Sequence, residues 1–407
     1  MGMSSLHTAF LLITPLLLAV AAVFSAPWMA ALPPELTGLQ RLAPYLSLLF
    51  AIGIAFAFQR GRIVLAAAAL LAAYWGYRFA SGLGSDTLAA RTSFLAISIL
   101  LPLNLGGLAL LRERGLVSRF GLRRVLVLLL QIAIVLVVIG FDLEHIVAPV
   151  SIDPAWAEGG PLATISLAGR LAFGLALAVA LVATFRRGTA IEAGIAGAIA
   201  TVALACHQAA VPLAFPTFFS FAALMLATGV LQDAYRLAYR DHLTGLGSRR
   251  ALDERLLMLS GRFVIAMIDV DRFKQFNDRW GHAVGDQVLR MVAAHVARAG
   301  GGGRAYRYGG EEFTLVFAGR SVDDVQPHLD VLRAAIENYV LTIRAADLSA
   351  SPAAVPSATL PDVAVSVTVS IGVAAPDDRR QAPESVLDAA DLALRRAKDK
   401  GRNTVSR

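Results

Sequence analysis

The chain has 407 residues, of which 57% are hydrophobic and 16% charged, with a mean hydropathy of +0.62 and a formal net charge of +7. That balance excludes a wholly soluble enzyme and fits a membrane protein with a soluble part attached. The positive charge is nearly all arginine, lysine occurring only as Lys274, Lys398 and Lys400, and the single Cys206 excludes an intrachain disulfide or a cysteine-based zinc site.

Taken in chain order, apolar stretches long enough to span a bilayer recur at about 9–31, 43–59, 63–80, 93–111, 124–141, 162–185, 189–207 and 211–231. Arginines crowd the loops after the second run (Arg60, Arg62), the fourth (Arg112, Arg114, Arg119, Arg123, Arg124) and the sixth (Arg186, Arg187). Acids dominate the loop after the fifth: Asp142, Glu144, Asp153 and Glu158. This asymmetry predicts about eight spans with both termini in the cytoplasm. It also accounts for the arginines without a nucleic-acid partner. Ser25-Ala26 offers an alternative reading of the first run as a cleaved signal peptide; the missing Lys or Arg before it and its length argue for a retained span.

What this half senses is less legible. Arg170 within the sixth run is either a functional intramembrane charge or an arginine paired to an acid such as Asp142. His145, Trp156 and the acids of 142–160, or His207, form either an outer ligand pocket or a solvated loop. A transporter is the rival class, but no pair of Gly/Pro-broken spans recurs at matching positions of two halves. Beyond the eighth run, Leu231, Ala234, Tyr235 and Ala238 fall on one apolar stripe. The segment 231–240 thus reads as a short helix leaving the bilayer, apt to meet a second copy. Composition changes sharply at about residue 235.

The remainder reads as a soluble α/β segment. Asp241–Arg250 is rich in turn residues and leads into a helix over Ala251–Leu259; Phe263–Ile268 is a buried strand ending at Asp269-Val270-Asp271. An amphipathic helix is expected from Gln287 to about Arg298. Ala305-Tyr306 and Phe313–Phe317 flank Arg307-Tyr-Gly-Gly-Glu-Glu-Phe313 as paired strands around a tight turn. Asp347–Asp362, rich in Ala, Ser and Pro, reads as a flexible insertion before a strand over Val363–Ile371. An acid at the end of a central strand beside an acidic hairpin turn is a way to build an oxygen-only Mg²⁺ site, the chemistry of nucleotidyl transfer. Asp271 reads rather as a turn acid or an arginine's partner, His295 and His328 as ordinary helix residues, and Asp391 and Arg395 as structural.

These residues resemble the GGDEF domain of diguanylate cyclases over about 236–407. Five blocks match in family order: DHLTGLGSRR at 241–250, IDVDRFKQFND at 268–278, GHAVGD at 281–286, RYGGEEF at 307–313, and VSIGVA with ADLALRRAKDKGRN at 369–374 and 390–403. The resemblance implies an all-α polytopic membrane domain over 1–230, a signalling linker over 231–240, and an α+β domain over 241–407. That α+β domain would carry a central, mostly antiparallel five-stranded sheet flanked by helices, akin to polymerase palms and nucleotidyl cyclases. It further implies that two GTP condense into cyclic di-GMP with loss of two pyrophosphates, at the interface of a homodimer regulated by the membrane domain. The place would be the cytoplasmic face of a bacterial inner membrane, the signal extracytoplasmic or intramembrane. Carried over by position, Asp269, the Val270 carbonyl, Glu311 and Glu312 would hold Mg²⁺, or Mn²⁺ in its place, and Glu311 would accept the proton. Asn277 and Asp286 would read guanine, with His282 lining the pocket; Lys274 would stabilise the transition state, and Lys398 and Arg402 would hold terminal phosphates. Four positions depart from the pattern. Ser248 stands for the usual Asn and Arg395 for a common Tyr; Gly300 and Gly303 stand where many members carry the Arg and Asp of a product-inhibition site, which implies weak or no inhibition through it. A second reading is a catalytically silent GTP-binding module, against which the intact acids speak.

Overall fold

The computed structural model describes residues 2–83, 87–151, 165–209, 211–343, 363–378 and 381–407, in two compact units, 1–234 and 235–407. The expected insertion at 347–362, and Asp153, Trp156 and Glu158 of the acidic loop, lie outside the described residues.

The first unit is helical. Among the described residues eight helices are long and apolar enough to cross a membrane. They comprise α1 (Gly2–Ala30), α2 (Pro34–Ala57), α3 (Gly61–Leu83), the composite of α4 (Leu88–Leu95) and α5 (Leu101–Leu110), α6 (Arg119–Gly140), α8 (Leu167–Arg187), α9 (Ala190–His207) and α10 (Ala214–Tyr239). A short helix, α7, covers Glu144–Ser151. Helices keep every backbone hydrogen bond inside the segment, the condition for sitting in hydrocarbon. Side-chain hydroxyls of Thr87, Ser118 and Ser166 cap α4, α6 and α8 by accepting from Ala90, Gly121 and Gly169 N–H. One turn of π-helix, Ala96–Leu100, joins α4 to α5. Arg170 lies within the sixth span as expected, in the first turn of α8. One expectation is corrected here. The segment 231–240 is not a separate helix, because its helix formers simply extend α10 to Tyr239.

A buried ionic knot holds one end of this unit. Glu192, with no exposed surface, accepts from Arg62 and Arg187 at 3.0 Å each, and Arg62 also reaches Glu113 at 3.0 Å. The two guanidinium groups further donate to the backbone carbonyls of Leu111 and Ala109 at the end of α5. Removing the shared anion would leave buried Arg62 with Glu113 alone and take the carboxylate from Arg187, so Glu192→Leu is expected to cost about 3 kcal/mol. The check is the melting temperature of the detergent-solubilised protein; an unchanged value would contradict this account.

The second unit is built on a five-stranded sheet in the order β2 (Arg304–Arg307), β3 (Glu312–Ala318), β1 (Phe263–Val270), β6 (Val369–Ala374), β7 (Val405–Ser406). Every pair is antiparallel except β6 with β7. All eight residues of β1 are buried, as its unbroken apolar run requires. Its two faces differ by the period of two. Val264, Ala266, Ile268 and Val270 pack with α13 (His282–Val296) and α14 (Val322–Glu337). Phe263, Ile265 and Met267 pack with α11 (Arg249–Leu257) and α15 (Pro383–Asp399). Asp269 is next in this second series.

Two further expectations change. The strand over Val363–Ile371 is two: β5 (Val363–Val365) pairs with β4 (Leu341–Ile343) in a separate ladder, and β6 begins only at Val369. Thr368 lies at the crossing, where its carbonyl and hydroxyl both bond Asp271. The helix expected from Gln287 starts instead at His282, after α12 (Phe273–Trp280) and a break at Gly281 with φ of 82°. A positive φ is cheap for glycine, so the chain ends one helix and begins the next in a single residue.

Candidate active site

The hairpin register puts the acids together. Asp269 is the cross-strand partner of Glu312, and the Val270 amide donates to the Glu311 carbonyl at 3.3 Å. Because Asp269 points to the α15 face, it meets Lys398 from the end of that helix, Oδ2 to Nζ at 2.9 Å. Burial pushes the Asp269 carboxyl above the ordinary aspartate range, against the pull of Lys398. Burial, and then the charge of Asp269, likewise push up Glu311 and Glu312. Arg402 lies near enough to act electrostatically on Asp269, held in a left-handed turn at φ of 68°.

Buried Asp269 and two half-buried glutamates whose pKa its charge raises concentrate more negative charge than Lys398 offsets. The strain is what a divalent cation relieves. Among the described residues no cluster of three or more metal-ligating side chains exists. That suits Mg²⁺, which takes one or two carboxylates and fills its octahedron with water and phosphate oxygens. Asp269, Glu311 and the Val270 carbonyl fit this role in donor type.

Asn277 and Asp286 come from the helix pair α12 and α13. Asn277 Oδ1 is buried without a hydrogen-bond partner, against Gly285, where any Cβ would stand 1.9 Å from it. His282 and Asp286 are one helical turn apart on α13, His282 exposed and Asp286 half-buried. Lys274 is exposed on α12. Asn277 and Asp286 make no hydrogen bond or ion pair with the strand-end acids among the described residues. The site thus has two lobes, one at the strand ends and one on the helix pair.

Asp271 is structural, through partners other than an arginine: it accepts from Ser370 and Thr368 hydroxyls at 2.6 and 2.7 Å and from the Asn403 amide at 3.1 Å. It therefore fixes the tail turn that carries Arg402. Sequence reasoning also missed a clamp on the Gly-Gly turn. Arg307 donates from Nε to the Gly309 carbonyl at 3.2 Å and from one terminal nitrogen to that of Gly310 at 2.6 Å. Its other terminal nitrogen reaches both oxygens of Asp241, at 2.9 and 3.1 Å. Asp241 meanwhile accepts from the amide and hydroxyl of Thr244. Nothing in the spacing of the two residues, 66 positions apart, signals the pairing. Ser248, standing for the usual Asn, accepts from Ala251 N–H at the head of α11 and donates to the Ala238 carbonyl.

Residues 238–404 match the family model described as diguanylate cyclase, GGDEF domain. Residues 238–404 are a GGDEF domain. The GGDEF domain is similar to that of diguanylate cyclase DgcP of Pseudomonas aeruginosa, 35% identical over 43% of this chain and 25% of that protein. It is also similar to diguanylate cyclase VdcA of Vibrio cholerae, 34% identical over 40% of this chain and 45% of that protein. The chain thus spans less than half the length of these curated relatives. Among solved structures it is similar to the coiled coil and GGDEF domain of DgcB from Caulobacter crescentus in complex with c-di-GMP, 33% identical over 43% of this chain and 88% of that chain, with a TM-score of 0.38.

Proposed function

We propose that this protein is a membrane-anchored diguanylate cyclase, condensing two GTP into cyclic di-GMP with release of two pyrophosphates, its catalytic domain on the cytoplasmic face of a bacterial inner membrane. The observation that carries the reading is the meeting of Asp269, Glu311 and Glu312 with Lys398 at the end of the central strand. In each half-reaction the 3′-oxygen of one GTP forms a bond to the α-phosphorus of the other, the bond to the β-phosphate oxygen breaks, and pyrophosphate leaves. The 3′-hydroxyl proton passes to the Glu311 carboxylate, whose pKa burial raises. Mg²⁺, held by Asp269, Glu311 and the Val270 carbonyl with Glu312 alongside, would supply charge neutralisation for the phosphates. Lys398 and Arg402 bind the terminal phosphates and Lys274 the charge that builds up in transfer. Asn277 and Asp286 accept from the guanine edge, beside His282.

The product has two-fold symmetry, so two equivalent half-sites facing one another in a homodimer are the simplest arrangement that makes both bonds. The exposed Leu231 and Tyr235 at the end of α10, 44% and 63% accessible, support a contact between copies there. The direct test is to incubate the full-length protein in nanodiscs with GTP and Mg²⁺ and identify the product by mass. A dimer that binds GTP and yields no cyclic di-GMP would sink the proposal in favour of a silent GTP-binding module.

Two consequences are specific to this chain. A methyl group at position 285 would displace the Asn277 amide, so Gly285→Ala is expected to weaken GTP affinity about tenfold or more by orphaning the amide's ligand contacts. Calorimetric titration with GTP checks it, and wild-type affinity would count against Asn277 as a base reader. The second concerns inhibition by product. Gly300 and Gly303 lie beside His328 and Phe317 and present no side chain to a bound product where the expected Arg and Asp would stand. Added cyclic di-GMP is therefore expected to leave initial rates unchanged at concentrations far below those of GTP; suppression there would overturn this.

A further inference from the structure

The membrane unit contains a chamber of about 710 Å³ between α3, the α4–π–α5 helix and α6. It runs along α3 from Val64 to Phe79, a length of about 22 Å at helical rise. No Asp, Glu, Lys, Arg or His lines it. Its two amides, Asn104 and Gln131, donate to each other at 2.7 and 3.3 Å and so leave the wall apolar in effect. The single π turn, Ala96–Leu100, forms part of that wall, and such turns concentrate at functional sites.

At the Phe79 end the chemistry changes. A second crevice, of about 540 Å³, is lined by Arg41 and Arg78 and shares Tyr45, Trp75 and Phe79 with the chamber. Neither arginine has a carboxylate partner among the described residues. Arginines and aromatics at a membrane boundary are ordinary. These two differ in bordering a crevice that shares its walls with an apolar chamber.

We propose that this paired cavity binds a single-chain amphiphile with an anionic head, a long-chain carboxylate, its tail in the chamber and its head on Arg41 and Arg78. A methylene takes roughly the volume of a water molecule, about 30 Å³, so a sixteen-carbon chain needs about 500 Å³ and the two chains of a phospholipid about 1,000 Å³. One chain fits; two do not. The guanidinium pair favours a carboxylate over a neutral head through charge-assisted hydrogen bonds. The inference stands apart from the catalytic reading, because its readout is binding.

The test uses the full-length protein in phosphatidylcholine nanodiscs with three diazirine probes: palmitic acid, hexadecanol and a phosphatidylglycerol. The carboxylate is expected to label peptides from 64–79 and 125–139 saturably and to be competed by unlabelled palmitate. Arg41→Gln with Arg78→Gln should weaken that competition about tenfold or more, and Ala72→Trp, which fills the chamber, should abolish it. Hexadecanol competing as well as palmitate, or indifference to the double arginine change, would overturn the proposal. Saturable labelling by phosphatidylglycerol equal to that by palmitate would assign the site to bulk anionic lipid and equally overturn it. The arginine changes lie at the cavity mouth, so they keep the test decisive even where Ala72→Trp fails to fold.

Discussion

Replacing Asp269 with asparagine is expected to lower cyclic di-GMP formation by on the order of 10³-fold while leaving the melting temperature of the unliganded protein unchanged or raised. The two effects have one cause. Burial raises the folded-state pKa of Asp269, so the folded chain holds that proton more firmly than the unfolded chain does. Above the unfolded-state pKa the ionised side chain therefore opposes folding, and the opposition is complete once the pH exceeds the folded value. Asparagine removes the charge and with it the repulsion that Asp269 imposes on Glu311 and Glu312. Lys398, one-third exposed, loses its partner but can turn to water. A site that resists its own folding in order to collect negative charge is a mark of function rather than of architecture. Scanning fluorimetry beside the product assay decides the matter: retained turnover, or a clear drop in melting temperature, would mean that Asp269 is a structural acid.

The second large effect is expected at Arg307. Its fork-shaped guanidinium ties Asp241 to the carbonyls of Gly309 and Gly310 in one piece, so the turn that presents Glu311 is held from behind. Lysine keeps the charge and loses the fork. Arg307→Lys should reduce turnover about 10–100-fold, because a shift of an ångström in a positioned group costs that much, with GTP binding less affected. Asp241→Asn should act through the same clamp, so the double variant should be no worse than the stronger single one. Additive losses would show that the two residues act separately.

The clamp also carries a pH signature. Burial pushes the Asp241 carboxyl up, but hydrogen bonds from Thr244 and Arg307 more than reverse it and hold it below the ordinary aspartate value of 3.8. A depressed pKa stabilises the fold above the unfolded-state value, and the contribution fades as pH falls through the folded value. Wild type should therefore melt above Asp241→Asn at pH 5–7, and the gap should close below about pH 4. A constant gap would show that the asparagine acts by shape and not by charge.

The membrane half was legible for a plain reason: hydrocarbon demands unbroken apolar helices, and composition reports that directly. Their ends shifted, because caps such as Ser166 and the continuation of α10 to Tyr239 obey local backbone chemistry that a hydropathy run does not see. In the second unit the strand Phe263–Val270 and the Gly-Gly turn were legible from period and turn chemistry. The break of Val363–Ile371 into two strands was not, since it follows from Asp271 seizing Thr368 across 97 positions.

By itself, then, the sequence determined that eight apolar segments precede an α/β domain carrying the motif order of a GGDEF domain. Hydrophobic period and residue chemistry are local properties, readable a few positions at a time. Only the tertiary structure decided that Lys398 meets Asp269, that Arg307 and Asp241 brace the turn, and that an apolar chamber adjoins two arginines. Those are juxtapositions of residues far apart in the chain. Strand register, helix packing and burial set them together, and none of these is written in any one stretch of sequence.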